Sequence, residues 1–297
     1  MTTNSTHQVP NFTMNNGLTI PAMGYGVFEM TSDEVHEHLP EALDLGYRHI
    51  DTANAYFNEV AVGEVVREWI ASGKGTREDL FITTKLFPQS YAYEQCGADI
   101  DATLERLGLD YVDLLLFHQP YGEYVDGWKA MEEAVEAGKV RSIGLSNFNA
   151  AKVREILDVA TIPPAALQVL INPRQQQREL KEALKDTGIV YEGWFPLGHG
   201  DASLLQEPSV LAAAERTGAS PAQVVLAWEI ADGDVVFPKT LNPAHMEDNL
   251  AAVDVELTAE EIEAIGSMTQ TAYFEVPDEK PEWIPTAENP YDYSEQH

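Results

Sequence analysis

Along the chain, short apolar runs alternate with longer segments whose apolar residues recur every three to four positions. The opening differs. Residues 9–20, VPNFTMNNGLTI, set two extended runs either side of Asn16-Gly17, a strong hairpin-turn pair. Strand-type runs then recur at 24–28, 47–51, 80–85, 112–118, 140–147, 166–171, 189–195 and 235–239. Helical patterns occupy 32–45, 59–72, 93–107, 123–137, 176–187, 220–232, 243–252 and 258–268. The first of these opens on Ser32 as its N-cap, and Ser220-Pro221 gives another an N-cap and first-turn pair. Five of the helical patterns stop at a glycine (Gly46, Gly73, Gly108, Gly138, Gly188), the usual left-handed stop.

Strands alternating with helices imply parallel pairing through right-handed crossovers. Eight such units predict an α/β fold, a closed (β/α)8 barrel with an N-terminal hairpin. A doubly wound sheet is the alternative on pattern alone. No composition break marks a second domain, so residues 1–297 are read as one. The segment 273–297 is Pro-rich, acidic and aromatic, and is expected to lie as an irregular tail over the barrel.

Composition narrows the partners. The 297 residues include 18 Lys+Arg against 49 Asp+Glu, a formal charge of −31, and 44% are hydrophobic. That apolar content supports a sizeable core. The charge argues against nucleic acid and against an anionic membrane surface. The acids are spread along the chain, which reads as a solvated surface. Cys96 is the single cysteine, so neither an internal disulfide nor a Cys-rich metal cluster is expected. The opening MTTNSTHQVP lacks a basic region followed by an apolar stretch, and no window is long and apolar enough to span a membrane. A cytoplasmic location is expected, and the Asn4 and Asn11 sequons read as accidental.

Chemistry is expected where barrel strands end. Asp51, Lys85 and His118 end three successive strand runs, spaced 34 and 33 residues apart. Ser146-Asn147, Gln168, Trp194 and Lys239 stand at or near the ends of the next four. Tyr56 follows Asp51 by five residues on the same loop. A buried Lys favours phenolate at a neighbouring Tyr, and a buried Asp keeps that Lys charged. Tyr56, Lys85, Asp51 and His118 together would donate a proton to a carbonyl oxygen and align it.

The run GYRHIDTANAYFNEVAVG (46–63) resembles the signature of the aldo-keto reductases. ITTKL (82–86), LLLFHQP (114–120), IGLSNF (143–148), GWFPLGHG (193–200) and VVFPKTLNPAHMEDN (235–249) follow in family order, and the resemblance runs from the hairpin to about residue 270. GYGVF and the Trp of GWFPLG look most like the prokaryotic 2,5-diketo-D-gluconate reductase group. The resemblance implies NAD(P)H-dependent reduction of an aldehyde or ketone, a keto-sugar or α-dicarbonyl among the candidates. It implies a small-molecule carbonyl substrate, a monomer or weak dimer, and no metal. Its catalytic tetrad falls on Asp51, Tyr56, Lys85 and His118. Ser146, Asn147 and Gln168 match the nicotinamide carboxamide contacts, and Trp194 the ring that stacks on the nicotinamide. Lys239 and Thr240 match the 2′-phosphate contacts, and Glu247 and Asn249 the adenine side. Leu197 and His245 complete the cofactor set. A non-catalytic NADPH-binding protein of the same fold is the alternative reading.

Several positions depart from the family pattern. Gln119 and Phe87 replace the usual tryptophans of the substrate pocket, where Phe28 is the third candidate; a more polar, roomier pocket is expected. Leu167, Asn172 and Phe195 replace the usual Asn, His and Ser. His245 stands where an Arg often faces the adenosine phosphate, so NADPH preference should be weak enough for NADH to be used. Tyr91, Tyr93 and Trp283 read as surface aromatics by default. GYGVFE (24–29), SGKGT (72–76) and the His36/His38 pair fail as nucleotide or metal motifs by spacing. His199 has no metal set beside it.

Overall fold

A computed structural model describes residues 7–287 and 289–293, so the Asn4 sequon and the last four residues of the tail lie outside it. Among the described residues ten strands are formed: β1 (Asn11–Thr13), β2 (Thr19–Pro21), β3 (Tyr25–Gly26), β4 (His49–Asp51), β5 (Phe81–Leu86), β6 (Val112–Phe117), β7 (Val140–Ser146), β8 (Ala166–Leu170), β9 (Val190–Trp194) and β10 (Val235–Val236). Strands β3 to β10 make one parallel sheet in sequence order. A parallel bridge between Met23 and Val236 joins its two edges. Gly24 N–H donates to the Val236 carbonyl at 2.9 Å and Val236 N–H to Ala22 at 3.0 Å, closing a (β/α)8 barrel.

The helices are α1 (Ser32–Leu45), α2 (Glu59–Ala71), α3 (Tyr93–Leu107), α4 (Tyr124–Glu136), α5 (Ala150–Leu157), α6 (Arg178–Ala183), α7 (Ala202–Leu205), α8 (Pro208–Thr217), α9 (Pro221–Ala231), α10 (Pro243–Leu250) and α11 (Ala259–Gly266). Three of these, α5, α7 and α8, are absent from the periodicity reading. The N-cap of α1 is Thr31, not Ser32: Thr31 and Glu34 form a reciprocal capping box. The expected helix 176–187 shrinks to α6, because Gln177 is left-handed at φ 55° just before it and Leu184 leaves helical geometry at φ −117° just after it. Strand 235–239 ends at Val236, two residues before Pro238, which has no N–H for the ladder. Helices α2 and α3 meet at Gly63, where a Cβ would sit 1.9 Å from the Leu107 carbonyl oxygen.

Period-2 alternation sorts each strand into two faces. Ile50, Ile82, Leu115, Phe117, Ile143, Leu145, Leu167 and Val169 belong to the outer core under the helices. The alternate residues Phe81, Leu114, Leu116, Ala166 and Val235 fill the barrel floor with Phe237 and with Met14 and Ile20 of the hairpin region. The β1–β2 hairpin, paired Phe12 to Ile20, therefore plugs the N-terminal end. Its Asn16 amide donates to the Ser142 hydroxyl at 2.9 Å. The opposite, C-terminal end stays open. Among the described residues no helix is long and apolar enough to cross a membrane.

Candidate active site

The inward alternation carries beyond the floor. Phe81, Thr83 and Lys85 share one face of β5, as His49 and Asp51 share one of β4; on β6 the series Leu114, Leu116 leads to His118, one residue past the strand. The chain thus brings three polar side chains to the open end without departing from strand geometry. Lys85 is completely buried. Its ammonium donates to both Asp51 carboxylate oxygens at 2.8 Å and to the Thr52 carbonyl at 2.9 Å. A further bond reaches Tyr56 Oη at 3.2 Å. Tyr56 closes a short turn, Asn54–Tyr56, and the next residue, Phe57, leaves it in the left-handed region at φ 58°. The Gln168 amide donates to Asp51 Oδ1 at 2.9 Å from across the barrel.

Electrostatics follow from this packing. Burial alone would lower the Lys85 pKa; the Asp51 charge and the Tyr56 oxygen outweigh it and lift that pKa above the usual 10.5. Burial raises the Tyr56 phenol above its usual 10.0, while Lys85 pulls it down and Asp51 pushes it up. The expected lowering by Lys85 exists but is overridden by desolvation, so Tyr56 is held as a phenol. His118 is pushed well below 6.5 by burial and by Lys85, which keeps its imidazole neutral. Its ring stands edge-on to Tyr56, with centroids 5.6 Å apart. His118 Nδ1 has no hydrogen-bond partner among the described residues.

These groups open on a cavity of about 750 Å³. Its walls include Ser146, Asn147, Gln168 and Trp194 on one side and Phe28, Phe87 and Gln119 on another. Asn147 is the joint of the first wall. Its backbone is left-handed at φ 66°, an uncommon conformation for a non-glycine residue. Its amide oxygen accepts from Trp194 Nε1 at 3.1 Å, and its amide nitrogen donates to the His118 carbonyl at 3.1 Å. Glu29, Phe195 and His199 also have positive φ and also line the cavity. Four of the six such residues found therefore ring one mouth, where backbone strain and function commonly coincide.

Known proteins share this chain's sequence pattern and fold. The Aldo/keto reductase family model matches residues 21–270. The chain belongs to the aldo/keto reductase family. An aldo-keto reductase of Mycolicibacterium smegmatis is 39% identical over 262 residues, covering 87% of this chain and 93% of the relative. Aldo-keto reductase family 1 member A1 of Xenopus tropicalis is 35% identical over 295 residues, covering 89% and 90%. The crystal structure of a Bombyx mori aldo-keto reductase in complex with NADP superposes with a TM-score of 0.84 at 33% identity, covering 91% of this chain and 95% of that one.

Within this family member, the expected residues divide in two. Asp51, Tyr56, His118, Ser146, Asn147, Gln168, Trp194, Leu197, Lys239, Phe28, Phe87 and Gln119 line the cavity, with Lys85 directly beneath. Thr240, His245, Glu247 and Asn249 do not line it. They lie on α10 and the turn before it, with His245 and Glu247 exposed and Asn249 buried. The Thr240 carbonyl accepts from Tyr25 Oη at 2.7 Å. The expectation of a more polar pocket is corrected. Phe274, Trp283 and Tyr291 from the tail join Phe28 and Phe87, so Gln119 is one amide in a mainly aromatic wall. Tyr291 stacks on Phe87 at 5.7 Å, and its backbone pairs with both ends of the Gln89 amide. Tyr91 is core, its hydroxyl on the Leu86 carbonyl, and Tyr93 is exposed against Glu133. His199 stacks on Phe195 at 4.2 Å. No sequence signal separated Phe274 and Tyr291 from any other tail aromatic.

Proposed function

We propose that this chain is an NADPH-dependent carbonyl reductase in which Tyr56 delivers the proton to the carbonyl oxygen. The observation that carries the reading is the Lys85 ammonium bonded at once to Asp51 and to the Tyr56 hydroxyl beneath the cavity. A phenol held protonated by burial, beside a fixed cation, is an acid whose conjugate base is stabilised where it forms. Asp51 keeps Lys85 charged and aimed, and Gln168 holds Asp51. Neutral His118 can donate one N–H to the same oxygen without competing for its proton.

The residues present fit a nicotinamide dinucleotide. The Trp194 ring is fixed by its bond to Asn147, and the amides of Asn147 and Gln168 with the Ser146 hydroxyl lie on the same wall. Lys239 stands at the cavity rim and leads to α10, where Thr240, His245, Glu247 and Asn249 would take the adenosine end. When bound, the reduced nicotinamide supplies the hydride for the carbonyl carbon; the protein orients and polarises. Exposed His245 in place of a permanent cation supports NADPH preference with NADH still usable.

The aromatic wall narrows the substrate. Phe28, Phe87, Trp283 and Tyr291 face the cavity, and Lys239, at the cofactor end, is its one Lys or Arg among the described residues. A carboxylated carbonyl would bury its charge unpaired. We therefore favour a neutral aromatic or alkyl aldehyde over a sugar acid. The relatives are bacterial and vertebrate at similar identity, 39% and 35%, which supports the family and not one subgroup. The test is NADPH oxidation at neutral pH with benzaldehyde, 4-carboxybenzaldehyde, a keto-sugar and an α-dicarbonyl. Benzaldehyde should be turned over, with kcat/KM at least about tenfold above its carboxylated analogue, equivalent to about 1.4 kcal/mol. No turnover of any of them, with NADPH nevertheless bound, would refute the catalytic reading.

A further inference from the structure

One buried acid stands inside the barrel outside the tetrad. Glu192 lies on β9, two residues before Trp194, and is completely buried. Strand register sets it beside Gln168 of β8 and Val235 of β10. Gln168 is the residue that bonds Asp51. Neither Glu192 carboxyl oxygen has a hydrogen-bond partner at bonding distance among the described residues. The nearest imidazole nitrogen, His49 Nε2, is 4.0 Å from Glu192 Oε1. His49 is itself engaged: it bonds the Thr83 hydroxyl at 2.8 Å and the Pro21 carbonyl at 3.3 Å. Burial keeps it neutral, with its pKa pushed down to about 3.

A carboxyl in such a place is costly as an anion and tolerable as an acid. The groups that face it can be enumerated strand by strand. His49 and Asp51 come from β4 and Lys85 from β5; β8 offers the Gln168 amide and β10 no titratable side chain. One fixed anion and one fixed cation, already bonded to each other, leave no spare positive charge for Glu192. Burial first, and the Asp51 charge second, push its pKa up to about 8, against the pull of Lys85 and the Gln168 amide.

We infer that Glu192 is a positioning residue that acts through Asp51 and Lys85: as an acid it leaves them a balanced pair, and as a carboxylate it opposes phenolate formation at Tyr56. The step is a proton loss from Glu192 to solvent and involves no redox change. This inference rests on Tyr56 as the proton donor. While Glu192 is protonated, the interior beneath Tyr56 is electrically neutral overall. Once it ionises, the added negative charge makes the phenol a weaker acid in the reaction. Carbonyl reduction should therefore fall as the pH passes 8, although Tyr56 itself titrates above 10.

The test compares the native chain with Glu192→Gln, an uncharged mimic of the protonated form. Between pH 7 and 9.5 the native kcat for benzaldehyde reduction should fall about tenfold, one unit of Tyr56 acidity, and that of E192Q less than twofold. The two should be equal within about twofold at pH 6.5, with similar Tm. Parallel profiles over the whole range would overturn the inference, since a merely structural role would lower the rate without changing its shape. Infrared difference spectroscopy supplies an arm that needs no turnover. A protonated-carboxyl band, absent in E192Q, should disappear from the native spectrum near pH 8; no such band at pH 6.5 would also overturn the inference. If the native chain reduced nothing while the band titrated as expected, the proton-donor role would fail and the buried acid would stand.

Discussion

Replacing Asp51 by Asn removes one charge from the Asp51–Lys85 pair while keeping the side chain's shape. Lys85 is fully buried, and its bonds run to Asp51, the Thr52 carbonyl and Tyr56. With Asn at 51, the carbonyl and the phenol remain, but the counter-charge is gone. Breaking a buried pair on one side costs about 3–5 kcal/mol. At about 2–4 °C per kcal/mol for a chain of this size class, Tm should fall by roughly 10 °C at pH 7. The pH dependence carries the sharper signature. In the native protein the Lys85 pKa lies above 10.5, so its contribution is complete at lower pH and is lost only as pH rises through that higher value. In D51N, burial acts unopposed by Asp51 and the folded pKa falls below 10.5. The unfolded chain then binds more protons between the two values, and stability should rise with pH there. Calorimetry at pH 7 and 9.5 should show the Tm gap to native narrowing at the higher pH. Turnover should drop about 10²–10³-fold, the scale of losing one preorganised group at a developing anion. A D51N Tm within about 2 °C of native at pH 7, or a gap that widens at pH 9.5, would refute the reasoning.

Other perturbations address the rest of the site and the surface. Trp194→Ala removes a cavity wall and the bond to Asn147, and should weaken NADPH binding at least about tenfold by fluorescence titration, whereas Trp194→Phe should lose only a few-fold. His245→Arg should raise the NADPH-over-NADH preference in Kd about tenfold, the value of one charge-assisted bond; an unchanged ratio would show that α10 does not meet the phosphate. With a charge of −31, Tm should climb from 0.1 to 1 M KCl as the screening length contracts from about 10 to about 3 Å, and a flat response would show that self-repulsion is not limiting. Gly63→Ala would drive a Cβ to 1.9 Å from the Leu107 oxygen and should destabilise the chain by about 2 kcal/mol in urea unfolding, with the catalytic rate unchanged.

Much of this was legible in the chain because two regularities coincide. Strand alternation and strand ending together place Asp51, Lys85 and His118 inside the barrel at its open end, so their spacing alone proposed a shared site. Glycine stops located helix ends well, as Gly108 and Gly138 show with φ 61° and 74°. Short elements escaped. Helix α5 has eight residues and follows the site loop directly, although Asn149 caps it through Lys152 N–H. Helix α8 carried its own marks, Pro208 in its first turn and left-handed Gly218 past its end. The tail was opaque for another reason. Its aromatics enter the cavity through long-range contacts with Phe87 and Gln89, which no local pattern encodes. Glu192 was one acid among 49, and only the closed barrel reveals that its side chain is completely buried.

The proposed proton donor is Tyr56, with the surrounding residues holding the cofactor. That role is tested by Tyr56→Phe, which removes one hydroxyl and leaves the Phe28 and His118 ring contacts in place. NADPH-dependent benzaldehyde reduction and NADPH affinity by fluorescence should be measured on the same samples. Turnover should fall by at least about 10³-fold with Kd for NADPH unchanged within about twofold. A Y56F variant that kept a tenth or more of the native rate would contradict that role.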